Sequence, residues 1–238
     1  MILPATLRAT LRALLRAFGT MVLLALSVDA LAHNLSASNA SFVEALNGPA
    51  IVPFLYLGAK HMVTGYDHLL FLIGVVFFLR EAKDIVLYVS LFTLGHSITL
   101  LGGVLAGWQV NAYLIDAVIG LSVVYKAFEN MGGFDRLGRW KPDTRAAVGL
   151  FGLCHGLGLA TKLQDLTLTS NGLITNMVSF NVGVELGQLA ALALILLLLM
   201  RWRSGAGFER QAFAANAVLM TCGFLLAGYQ LGGLVLES

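Results

Sequence analysis

Residues 181–200 run Asn181-Val-Gly-Val-Glu185-Leu-Gly-Gln188-Leu-Ala-Ala-Leu-Ala-Leu-Ile-Leu-Leu-Leu-Leu-Met200, with Glu185 as their one charge and Arg201 directly after them. The hydrocarbon core of a bilayer demands about 20 consecutive, mainly apolar residues of helix. This stretch meets that length and, extended back to residue 172, reads as a membrane helix. Working outward, runs of similar length lie at 61–80, 85–107, 111–131, 146–163 and 212–235. The expected fold class is therefore all-α: a polytopic membrane helix bundle of six transmembrane helices. Composition agrees. The 238 residues are 58% hydrophobic and 12% charged, with mean hydropathy +0.83, whereas a soluble domain carries about 25% charged residues. The excess apolar surface requires the lipid bilayer as its partner.

The beginning of the chain has a different character. Arg8, Arg12 and Arg16 precede the apolar stretch Phe18 to Val28, and Ala30-Leu-Ala32 offers small residues for cleavage. This pattern predicts a cleavable signal peptide over 1–32, a mature chain starting at His33, and a mature N-terminus outside the cytoplasm. Residues 33–60 read as a short extracytoplasmic lead-in, polar to about Asn47 and then apolar but too short to span, so that 49–60 lies at the interface or re-enters. The six-helix transmembrane domain is expected over 61–238.

Loop charge gives the orientation a second basis, because short cytoplasmic loops hold the excess of Lys and Arg. With the N-terminus outside, the inner connections hold Arg80 and Lys83, then Arg136, Arg139, Lys141 and Arg145, then Arg201, Arg203 and Arg210. The outer ones hold Lys60 and Lys162. Both signals predict residence in a bacterial inner membrane with mature N- and C-termini in the periplasm. The formal net charge of +2 is dispersed over these loops, which gives no surface for nucleic acid. Cys154 and Cys222 each lie in an apolar run with no CxxC, so neither a disulfide framework nor a thiolate metal site is expected.

Ionisable groups at membrane depth cost at least ~2.5–3.5 kcal/mol each and therefore need a partner, a cavity or a purpose. In the first span His61 and His68 are seven residues apart, near one face of a helix, with Asp67 about 100° round from His68. Asp67 is placed either to ligate or to orient an imidazole through its other ring N–H. His96 falls halfway along the second span, and His155 in the fourth lies between Gly152 and Gly156, a GxxxG surface for close helix approach. In the fifth, Asn181, Glu185 and Gln188 share a face, with Gly183 and Gly187 on another side. Counting inward at about 1.5 Å per residue brings His68, His96, His155 and Glu185 to one depth. Imidazole and carboxylate ligands suit Ni, Co, Zn or Fe(II), and the lack of thiolate disfavours Cu(I). Asp116 in the outer part of the third span, and Glu129 beside Lys126 at its inner end, mark the two ends of a possible path; Lys126 with Glu129 also reads as an interfacial ion pair.

These blocks resemble the HupE/UreJ family, nickel-permease-like membrane proteins associated with hydrogenase and urease gene clusters. The family's HX5DH pattern is matched by His61, Asp67 and His68. The stretches around Gly65 to Phe71, His96 to Leu100, Phe151 to Gly158 and Phe180 to Gln188 look like further family blocks. The resemblance implies a small permease or facilitator bringing Ni(II) inward, in a hydrogenase or urease maturation context, with His61, Asp67 and His68 at the outer mouth and translocation site. One departure is that Phe151…His155-Gly156 is not followed by the family's His-Gly-x-Glu, and the nearest carboxylate counterpart, Glu185, is on the next span.

The expected function is an inner-membrane transition-metal permease, nickel favoured, with metal ligands His61, Asp67, His68, His96, His155 and Glu185. Asn181, Gln188, Asp116 and Glu129 support it. No nucleotide-binding motif is present, and a transporter is favoured over an enzyme. Other classes share the residues: an intramembrane zinc-dependent hydrolase, a b-type haem protein with His96 and His155 as axial ligands, and a non-transporting accessory membrane protein.

Overall fold

A computed structural model describes residues 48–164 and 170–237. The expected signal peptide and the lead-in as far as residue 47 lie outside the described residues. What is described is helical: α1 (Ile51–Thr64), α2 (Tyr66–Val76), α3 (Ala82–Ala106), α4 (Ala112–Asn130), a 3-10 segment (Asp135–Trp140), α5 (Thr144–Gln164), α6 (Leu173–Arg203) and α7 (Phe208–Glu237). No strand occurs among the described residues.

Local sequence explains several of the boundaries. Asn111 caps α4 by accepting the Leu114 N–H at 3.0 Å, and Asp143, after Pro142, accepts the N–H groups of Arg145 and Ala146 at 2.8 and 3.1 Å to start α5. Gly107 ends α3 with φ +67°, a left-handed cap that a side chain resists. Arg203, from the end of α6, donates to the carbonyls of Val76, Phe77 and Leu79. A cation there satisfies the open carbonyls at the C-terminus of α2 and complements its dipole.

Among the described residues, four helices are long and apolar enough to cross a membrane: α3, α5, α6 and, within α7, Phe208–Leu236. Large apolar side chains such as Leu94, Ile98, Leu186 and Leu197 point outward on them, as a lipid-facing surface requires. The chain is thus a multi-pass membrane protein. The third expected span appears as α4, 19 residues long, but it carries Asp116, Lys126 and Glu129. All three are paired, Asp116 with Lys162 and Lys126 with Glu129, each at 2.7 Å. The first expected span, 61–80, is not one helix. It divides at Gly65, and the stretch 49–60, expected to lie at the interface or to re-enter, supplies most of α1, which packs against α6.

Glycine decides which helices meet. A Cβ on Gly58 or Gly183 would run into the Phe180 or Leu55 carbonyl, so α1 and α6 touch backbone to backbone. Gly152 and Gly156 do the same against Phe92 and His96, closing α5 on α3, and Gly120 with Gly223 closes α4 on α7. Small residues allow this approach, and dispersion between close backbones holds membrane helices where water supplies no drive. The bundle is three such pairs, with α2 touching α3, α4, α6 and α7.

Candidate metal centre

The centre begins with the break at Gly65, whose backbone is extended (φ −73°, ψ 98°) between the last turn of α1 and the first of α2. Its N–H still donates to the His61 carbonyl at 2.8 Å and its own carbonyl accepts from Leu69 at 3.1 Å, so the interruption leaves these groups bonded. In an unbroken helix His61 and His68 would be about 10 Å apart along the axis. Here their ring centres are 5.1 Å apart. His61 therefore lies within the histidine group. Discontinuous helices commonly build cation sites in membranes, because the carbonyl end of one half-helix faces the ion.

His68 is the hub of this group. Its ring lies 4.8 Å from that of His155 and 5.8 Å from that of His96, so four helices, α1, α2, α3 and α5, each deliver one imidazole. Asp67 Oδ1 accepts the backbone N–H of His68 at 2.8 Å and faces its Nδ1 at 2.9 Å. An ionised carboxylate only accepts, so Nδ1 is the donor, and in the neutral ring Nε2 then carries the lone pair. His68 Nε2, His96 Nε2 and His155 Nδ1 are all buried with no hydrogen-bond partner among the described residues. Buried polar atoms are normally paired, and three such nitrogens in one group suit a cation. One ligand atom each from Asp67, His68 and His155 lies within 4.8 Å of the others. Phe71 and Phe92 pack on His155 at 5.4 and 5.0 Å, and Phe180 on His61 at 6.2 Å, giving the group an apolar shell. A small apolar pocket lined by Met62, Leu72, Val75, Tyr88 and Val89 also borders His68.

The remaining expected residues are placed elsewhere. Glu185 is on the exposed side of α6. It is 3.5 Å from Asn181 Nδ2, which also donates to Ser97 at 2.9 Å, while Gln188 accepts from Thr93 at 3.0 Å. The polar row of α6 thus links to α3 and does not join the histidines. Asp116 pairs with Lys162, and Glu129 with Lys126 and with the Thr144 hydroxyl. Ser122 was not singled out in the sequence, yet its Oγ lies 3.2 Å from His155 Nε2. A hydroxyl in an apolar run was its only signal, and the spacing along α4 says nothing of a partner on α5.

Two imidazoles and a carboxylate, with two more imidazoles alongside, form a donor set of the kind that binds borderline divalent ions. Comparison with known sequences bears on what such a set is for. The family described as HupE / UreJ protein matches residues 37–238. No curated protein and no solved structure matches the chain. The chain belongs to the HupE/UreJ family.

Proposed function

We propose that this protein is an inner-membrane permease or facilitator for a divalent first-row transition metal, with nickel favoured over cobalt, zinc and iron. The observation that carries the reading is the outer support of both central histidines. A metal-ligating histidine nearly always hands its other ring nitrogen to a polar partner; His68 has Asp67 at 2.9 Å and His155 has Ser122 at 3.2 Å. His68 and His155 hold the ion through their unpartnered nitrogens, Asp67 orients His68 and supplies negative charge beside the ion, and His61 and His96 are adjacent ligands that pass it along. Glu185, apart from them on α6, is left out of the central set. Membership in the family supports nickel and a hydrogenase or urease setting.

An ion taken from water into this apolar shell loses its hydration, and one carboxylate with neutral imidazoles replaces it only in part. Affinity is accordingly modest, as conduction requires, because a site that binds too well does not release. The six crossings are α1 with α2 as one broken crossing, then α3, α4, α5, α6 and α7. A signal peptide over 1–32 and periplasmic termini complete the proposed topology.

Uptake into vesicles containing the purified protein tests the reading. Wild type should accumulate Ni(II) down its gradient, and His68→Ala or His155→Ala should remove most of that flux. Variants that bind and carry Ni(II), Co(II) and Zn(II) as wild type does would refute it.

A further inference from the structure

Ser122 is completely buried on α4. Its Oγ stands 2.6 Å from the Ile119 carbonyl and 3.2 Å from His155 Nε2. A hydroxyl has one proton to give. The shorter separation is typical of an O–H···O bond, whereas the longer one is at the outer end of the range for N–H···O. The proton therefore goes to the Ile119 carbonyl, which can only accept. Oγ is left as the acceptor toward the ring, and the N–H of His155 must be on Nε2. A neutral imidazole carries one N–H, so Nδ1 bears the lone pair, and Nδ1 is the buried atom with no partner among the described residues.

We infer that Ser122 is a positioning residue that holds His155 in the Nε2–H form and so presents Nδ1 to a cation beside Asp67 and His68. His68 is held the other way, with Nδ1 on Asp67 and Nε2 free. The two central histidines thus offer opposite ring nitrogens, set by partners on different helices. The purpose of the arrangement rests on the metal reading above, but the tautomer is a property of the metal-free protein and can be measured separately.

The test uses the full-length protein labelled with [15N]histidine in lipid nanodiscs without metal, where imidazole nitrogen shifts separate an N–H from a lone pair. The His155 signals are those lost in His155→Gln. Wild type should show protonated Nε2 and bare Nδ1. Ser122→Ala should divide the ring between tautomers and lower Ni(II) affinity about 10- to 100-fold, the usual effect of removing the outer partner of a ligating histidine, and Ser122→Thr should restore both. Protonated Nδ1 in wild type overturns the inference, even if Ser122→Ala does not fold; so does a Ser122→Ala protein with unchanged tautomer and affinity. Should the tautomer and its dependence on Ser122 hold while no Ni(II), Co(II) or Zn(II) binds, the positioning stands and the metal function falls.

Discussion

Asp67 acts on His68 twice, through the backbone N–H and through the ring, so its removal frees both the helix start and the imidazole. Asp67→Asn keeps the size but loses the charge that offsets an incoming dication. Ni(II) affinity, read by calorimetric titration, should fall at least about 10-fold. Lys126 and Glu129 pose a different case, because their side chains are 9% and 8% exposed. Lys126→Ala leaves a buried carboxylate with the Thr144 hydroxyl but without its cation, a change that destabilises by up to about 3–5 kcal/mol, and unfolding in detergent should show it. Lys83→Ala removes the partner of Glu81 from a pair in water, 77% and 64% exposed, where a pair contributes little, so the unfolding midpoint should stay put. The residue types of the centre were legible in the chain, since intramembrane histidines and carboxylates stand out against apolar neighbours. Asp67 as the partner that orients an imidazole was legible too, but Ser122 was not, because it acts across helices and nothing in the spacing along one helix names a contact on another.

Helices and their glycine surfaces were likewise legible as elements. Gly152 and Gly156 read as a close-packing face, and both meet the backbone of α3. Gly156→Leu should push α5 off the His96 carbonyl, lowering the thermal midpoint and weakening metal binding together, because His155 is its neighbour. The break at Gly65 was not legible. A glycine within an apolar helix is common in membranes, and whether the helix divides there depends on where α1 docks. A Cβ at Gly65 would lie 2.9 Å from the His61 carbonyl, 3.1 Å from Asp67 Oδ1 and 3.1 Å from His68 Nδ1. Gly65→Ala should therefore disturb the Asp67 and His68 pair, with Ni(II) affinity dropping several-fold at nearly unchanged stability. Equal loss of binding and stability would show that the break serves the fold and not the site.

Across the whole molecule, the connections rich in Lys and Arg gather at one end. Arg203 reaches the carbonyls after α2, and Asn130, before the 131–143 connection, donates to Gly74 at 2.8 Å. At the other end Asn176 bonds the chain at Gly48 and Ala50, and Gln164 bonds Trp108. Single cysteines placed in 132–143 should label only from the cytoplasm; labelling from outside would reverse the proposed orientation. Sequence by itself determined that this chain is a multi-pass membrane protein, that it is helical, and which imidazoles stand out within its apolar runs, because hydropathy, length and charge act locally along each segment. Tertiary structure alone decided that His61 joins His68, that Ser122 orients His155 and that Glu185 faces outward. Depth along a helix follows from rise per residue, whereas rotation and pairing of helices follow from backbone approach at glycines far apart in the chain.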